Sequence, residues 1–147
     1  MALTTHYHFA YADHLNEENA RRICPGATFE GIAELIDYRL IFTPHGRASL
    51  QPESGAAVWG VVWCLSNRDI FNLGKNEEEH LPDYRRHTVE VKLADGRLLQ
   101  AFCYTSLITG DAQPNPKLLR AMIDDAEFWG LPAHYIKSLR ELLQSIS

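Results

Sequence analysis

The sequence predicts an α+β fold, a small mixed and strongly curved β-sheet or barrel with peripheral helices. Three observations carry that expectation. Residues 57–65 form a nearly continuous apolar run rich in valine and tryptophan, the mark of a strand buried on both faces. Residues 87–93 and 98–104 alternate around Ala94-Asp95-Gly96, a hairpin signal. Two helical patterns then close the chain, each opened or stopped by proline or glycine.

Taken in order, Tyr7 to Tyr11 reads as a first strand. Asn16 caps a short helix over 17–22, which Cys24-Pro25-Gly26 ends. Phe29, Ile32, Leu35, Tyr38, Leu40 and Phe42 alternate imperfectly, as in one long bent strand or two consecutive ones over 27–42 with Gly31 at a bend. Pro44, Gly46, Pro52 and Gly55 mark 43–56 as a loop. After the central strand, Ser66 caps a short helix over 67–73 with Asp69 in its first turn, and an acidic loop follows. Beyond the hairpin and a loop over 105–114, Asn115 caps and Pro116 begins a helix with Leu119, Met122, Ile123, Ala126 and Trp129 on one face, ended by Gly130. Pro132 starts the last helix, with Tyr135, Leu139, Leu142 and Ile146 inward. Residues 1–147 are expected to form a single domain, and a barrel buries both tryptophans of the central run without leaving a long apolar edge.

Charge and cysteine usage narrow the function. Lys and Arg number 14 against 19 Asp and Glu, a net charge of -5, which argues against nucleic acid as a partner. Cys24, Cys64 and Cys103 are odd in number and widely spaced, favouring reduced thiols over disulfides or zinc. No signal-like segment or membrane-length apolar run occurs, so the cytoplasm is the default location, and no membrane partner is expected. No nucleotide-binding or nucleophile-elbow motif is present, and no cofactor is expected.

His6 and His8 share a strand face, but two imidazoles without a thiolate or acid make a poor metal site. We read them as a solvated strand end and expect no metal. The other histidines show no ligand spacing. The remaining chemistry lies in Glu77-Glu78-Glu79. The residues alone allow solvated charges, or a carboxylate turned inward whose pKa rises to where it shuttles protons at neutral pH.

Several segments resemble the gamma-glutamylcyclotransferase superfamily. They are Tyr11-Ala12-Asp13-His14-Leu15 for the family's Tyr-Gly-Ser-Asn-Leu loop, Cys24-Pro25-Gly26-Ala27, Tyr38-Arg39-Leu40-Ile41-Phe42, Val58-Trp59-Gly60-Val61-Val62-Trp63, Leu73-Gly74-x-x-Glu77 and Gly130-Leu131-Pro132-x-x-Tyr135-Ile136-x-x-Leu139. The family's acid falls on Glu77, and its pocket tyrosine, seven residues on, falls on Tyr84. Glu78 and Glu79 then become loop charges, and Gly74 stands where the family has aspartate. The resemblance implies release of 5-oxoproline from a gamma-glutamyl amide or peptide. The substrate's amino group attacks its side-chain carbonyl, Glu77 acts as general acid and base, and no cofactor takes part. Backbone N–H groups of the loop Tyr11, Ala12, Asp13, His14 and Leu15 would hold the substrate's carboxylate or the oxyanion. The implied partner is a small gamma-glutamyl molecule, with a homodimer left open.

The loop departs from the family at Ala12, Asp13 and His14. If the glycine position needs a left-handed backbone, Ala12 costs about 1 to 2 kcal/mol. At ~4 Å, Asp13 would repel a substrate carboxylate by about 1 kcal/mol in a water-like setting and about 4 at intermediate dielectric. The alternative reading is therefore a non-catalytic ligand-binding or interaction protein on the same fold. A buried Glu77 beside the loop favours the enzyme, and a solvated one favours the binding protein.

Overall fold

The apolar run at 57–65 has hydrogen-bonded neighbours on both sides, and the rest of the sheet closes around it. A computed structural model describes residues 6–108 and 110–146. Five strands, β1 (Tyr7–Ala10), β2 (Thr28–Phe42), β3 (Ala48–Cys64), β4 (Tyr84–Leu93) and β5 (Leu98–Ser106), form a closed barrel in the order β1-β3-β2-β4-β5. β1 lies antiparallel to β3 and parallel to β5, where His8 opposite Phe102 closes the ring. Helices α1 (Glu17–Ile23), α2 (Asn67–His80), α3 (Pro116–Trp129) and α4 (Ala133–Ser145) complete the fold, with a 3-10 turn at Asp13–Leu15 between β1 and α1. The mixed barrel with helices is the expected α+β architecture.

β2 is one bent strand whose register against β3 shifts between Phe29 and Gly31, close to the expected bend, and again between Ile36 and Tyr38. At the second shift Asp37 takes a positive φ of 67°, and its carboxylate accepts from the Gly55 amide at 3.0 Å. The expected loop over 43–56 is a correction: β3 already begins at Ala48, and only 43–47 turns the chain. Pro52 pairs with Tyr38 in this arm. Proline is tolerated there because β1 joins β3 only from Val61 onward, so the arm needs half its amides.

The second correction concerns α2, which runs through the acidic stretch to His80 rather than stopping at Leu73. A capping box of Ser66 and Asp69 starts it. Lys75 and the glutamates are good helix formers, so Gly74 does not end it. The glycine leaves close room for its neighbours: a Cβ there would sit 3.2 Å from the Arg86 guanidinium and 3.6 Å from the Tyr104 hydroxyl. The run Glu77-Glu78-Glu79 is thus a last helical turn, with Glu77 buried and its two neighbours exposed.

At the C-terminal end the local signals hold. Asn115 caps α3 through its side chain, Pro116 occupies the first turn, and Gly130 stops it in the left-handed conformation. Leu119, Met122, Ile123 and Ala126 are buried, as are Tyr135 and Leu139 of α4, while Leu142 and Ile146 are half-buried. Of the loop expected over 105–114, Thr105 and Ser106 belong to β5, and Thr109 lies outside the described residues.

β1 crosses β3 at Gly60, where an added Cβ would lie 2.2 Å from the Ala10 carbonyl oxygen. Neither backbone can yield without opening the barrel seam. Gly60→Ala is expected to lose about 2 kcal/mol or more of stability, measured by urea denaturation. An unchanged midpoint and slope would contradict this account of the seam.

Candidate functional site

β1 ends in a turn whose position is fixed from three sides. The Tyr11 hydroxyl donates to the Tyr104 carbonyl at 2.7 Å, the Trp63 indole to the His14 carbonyl at 3.0 Å, and the Trp129 indole to the Leu15 carbonyl at 2.6 Å. Within the turn, the Leu15 and Asn16 amides donate to the Ala12 and Asp13 carbonyls. The amides of Ala12, Asp13 and His14 have no protein acceptor among the described residues, as first-turn amides lack an intrahelical partner. Ala12 has φ -136°, so alanine carries no left-handed penalty here.

This turn forms one wall of a pocket of about 450 Å³, counting its open mouth. Tyr11, Ala12, Asp13 and His14 line it together with Glu77, Tyr84, His8, Arg47 and Tyr104. Of the residues expected at the site, only Leu15 stays out. Its side chain is core and its amide is already committed to Ala12. Tyr84 lines the opposite wall, its hydroxyl donating to the Ala48 carbonyl at 2.5 Å, and burial raises its pKa.

Glu77 comes from the last turn of α2 and is 6% exposed. Its Oε1 lies 3.5 Å from the Nδ1 of His14, and its Oε2 has no partner. Burial above all, then the charge of Asp13, pushes its pKa up to about 7, with Arg47 opposing. Burial likewise lowers the pKa of His14. Both groups are thus driven toward their neutral forms, and their 3.5 Å contact is not an ion pair.

His8 corrects the expectation of a solvated strand end. It is buried, its Nδ1 lies 3.1 Å from the Phe102 carbonyl, and burial pulls its pKa down to about 3. Nδ1 therefore carries the proton and donates. Alternation hid this, because β1 is paired on both sides and packed on both faces. Arg47 and Tyr104 also went unnoticed in the sequence. Nothing in a Pro-Gly segment says which pocket its arginine borders, and Tyr104 reads as an ordinary strand residue.

Asp13 does not point into an apolar wall. Its side chain is about half exposed, and its carboxylate lies 4.0 Å from the Arg47 guanidinium. A second, more polar basin shares Asp13, His14, Arg47, Glu77 and Leu81 with the pocket and extends past Asn19, Arg22, Asn76 and His80. An enclosed carboxylate titrating near neutrality, beside unspent backbone amides, can both take and return a proton while an oxyanion is held. Among the described residues no group of three or more His, Cys, Asp or Glu side chains could hold a metal ion, and no helix is long and apolar enough to cross a membrane.

Residues 57–139 match the model of the AIG2-like family. Over 147 aligned residues the chain is 29% identical to the human gamma-glutamylcyclotransferase, covering 92% of this chain and 77% of that protein. The bovine protein of the same name is 28% identical over 145 residues with the same coverage. A solved structure named gamma-glutamyl cyclotransferase superposes with a TM-score of 0.84 at 25% identity, covering 93% of this chain and 87% of that one.

The raised pKa of Glu77 fixes a pH dependence. The ordinary carboxyl value is 4.5 and the folded value about 7, so ionisation costs the folded state more than the unfolded one. Stability is fully present below the ordinary value and is lost as pH rises from 4.5 toward 7. Against Glu77→Gln, the protein should lose about 3 kcal/mol across this window, read from urea midpoints at several pH values. Parallel curves for the two proteins would show that Glu77 is not held at this raised value.

Proposed function

Because the chain belongs to the AIG2-like family, within the gamma-glutamylcyclotransferase-like superfamily, we propose that it releases 5-oxoproline from a gamma-glutamyl amide or peptide, with Glu77 as general acid and base. The observation that carries this reading is the buried Glu77 carboxyl, half unpartnered and titrating near 7, across a pocket from the unspent amides of Ala12, Asp13 and His14.

The chemistry is an intramolecular aminolysis. The substrate's α-ammonium gives a proton to the Glu77 carboxylate, and the freed amine attacks the side-chain carbonyl, closing a five-membered ring. The new C–N bond leaves a tetrahedral carbon whose oxyanion the turn amides stabilise, an interaction worth about 3 to 4 kcal/mol per donor. Protonated Glu77 then delivers its proton to the departing nitrogen as the old C–N bond breaks. The ring nitrogen's second proton follows the same route, so the products are the lactam and an ammonium ion. No electrons change hands and no co-reactant is consumed.

The protein's contribution is to hold the chain folded for ring closure and to keep water from the carbonyl. Buried Tyr11 and Tyr104 and the half-buried Tyr84 wall the inner part of the pocket. The polar basin beyond Glu77 gives the leaving amine a way out. His14 is kept neutral beside Glu77, so it does not neutralise the base with a permanent ion pair. Asp13 raises the pKa of Glu77 and strengthens it as a base, while Arg47 offsets the repulsion of a substrate carboxylate. No observation favours a non-catalytic binding protein over this reading.

The test is 5-oxoproline release from a panel of gamma-glutamyl amino acids, gamma-glutamyl amines and glutathione. At least one member should be turned over, and Glu77→Gln should lower the rate by about 10² to 10⁴. The rate should rise with pH through about 7, the value to which Glu77 is raised. Asp13→Asn should move that limb to lower pH, since Asp13 holds the value up. No release from any member, or equal release by Glu77→Gln, would end this proposal.

A further inference from the structure

Arg47 projects from a turn that the fold locks in place. The Thr43 amide donates to the Arg47 carbonyl at 2.8 Å, and the Gly46 amide to the Thr43 carbonyl at 2.7 Å. Gly46 has a positive φ of 79°, and a Cβ there would meet the Cβ and backbone nitrogen of Asn115 at 3.0 Å. The Asn115 amide in turn donates to the Gly46 carbonyl at 3.1 Å. The turn is thereby fastened to the N-terminal cap of α3, so the Cα of Arg47 has a fixed place at the pocket mouth.

The side chain it presents there is under-used. Among the described residues the Arg47 guanidinium makes no hydrogen bond, and its one ionic contact is Asp13 at 4.0 Å, too long for a hydrogen bond. Five N–H donors therefore stand at a pocket lined by two carboxylates, Asp13 and Glu77, and by no other lysine or arginine. Both side chains of the loose pair are about half exposed, so separating them costs little. A guanidinium fork suits a planar carboxylate or a phosphate, and of these a gamma-glutamyl substrate offers the carboxylate.

We propose that Arg47 binds the α-carboxylate of the substrate's glutamyl group, displacing Asp13, and so selects α-amino acid derivatives over amines of the same length. This rests on the proposed reaction and names the side chain that sets its substrate class. It also divides the labour of the site. With the carboxylate on Arg47, the amides of Ala12, Asp13 and His14 are left for the oxyanion.

The probes are 5-oxoproline and 2-pyrrolidinone, the same lactam with and without the carboxylate, tested as competitive inhibitors and by direct titration. The protein should bind 5-oxoproline about tenfold or more tightly over 2-pyrrolidinone, as one charge-assisted contact allows. Arg47→Gln should erase most of that preference and raise KM for a gamma-glutamyl amide more than it lowers kcat. Arg47→Lys should restore part of it, having the charge without the fork. A preference that survives Arg47→Gln, with turnover intact, would overturn this assignment while leaving the proposed reaction standing. Failure of both lactams to bind, together with no turnover of the panel, would remove the reaction and this inference with it.

Discussion

The site depends on two indole N–H groups. Trp63 from β3 and Trp129 from α3 each donate to a carbonyl of the turn at Asp13–Leu15, and each bond contributes about 1 kcal/mol. The larger effect is geometric. Trp129 stacks on Phe29 and meets Trp63 edge-on, so the two donors belong to one aromatic block seated on the barrel. The turn inherits the rigidity of that block, and its four residues from Tyr11 to His14 become a wall against which Glu77 can be buried.

Helix α2 carries a buried carboxylate at each end, and the contrast explains what kind of group Glu77 is. Asp69 sits in the first turn, accepts from the Ser66 and Gly26 amides, and faces the positive end of the helix. Its burial is fully compensated, and it ties the Cys24-Pro25-Gly26 segment to the helix. Glu77 sits in the last turn, at the negative end, with one oxygen unpartnered. The same helix therefore uses one acid for stability and holds the other in a state that folding alone does not favour, the pattern expected of a reactive group and in keeping with the proposed role of Glu77.

Legibility followed the range of each signal. The caps of α3, the Ala94-Asp95-Gly96 turn and the central run act over a few residues, and the chain formed what they specified. The segment 43–56 misled because Pro52 and Gly55 punctuate a loop and a one-sided ribbon alike, and only the pairing partner distinguishes them. The end of α2 misled for the opposite reason, since Gly74 looks like a stop although the helix runs on past it, with Arg86 and Tyr104, brought from β4 and β5, packed close beside it. In the site, Glu77, Tyr84 and the first turn were reachable through a resemblance of spaced motifs. His8 and Arg47 were not, because one is buried by strand neighbours and the other is aimed by a turn fastened to the cap of a helix far along the chain.

The bonds that anchor the turn also make it observable by light. Indole emission shifts with the hydrogen bonding and polarity around the ring, and two of the chain's three tryptophans place their N–H groups on turn carbonyls. The third, Trp59, rests against His134 and lies outside this cluster. Any occupant of the pocket that moves the turn must disturb the Trp63 and Trp129 pair, so the protein carries a built-in fluorescent reporter of this pocket wall.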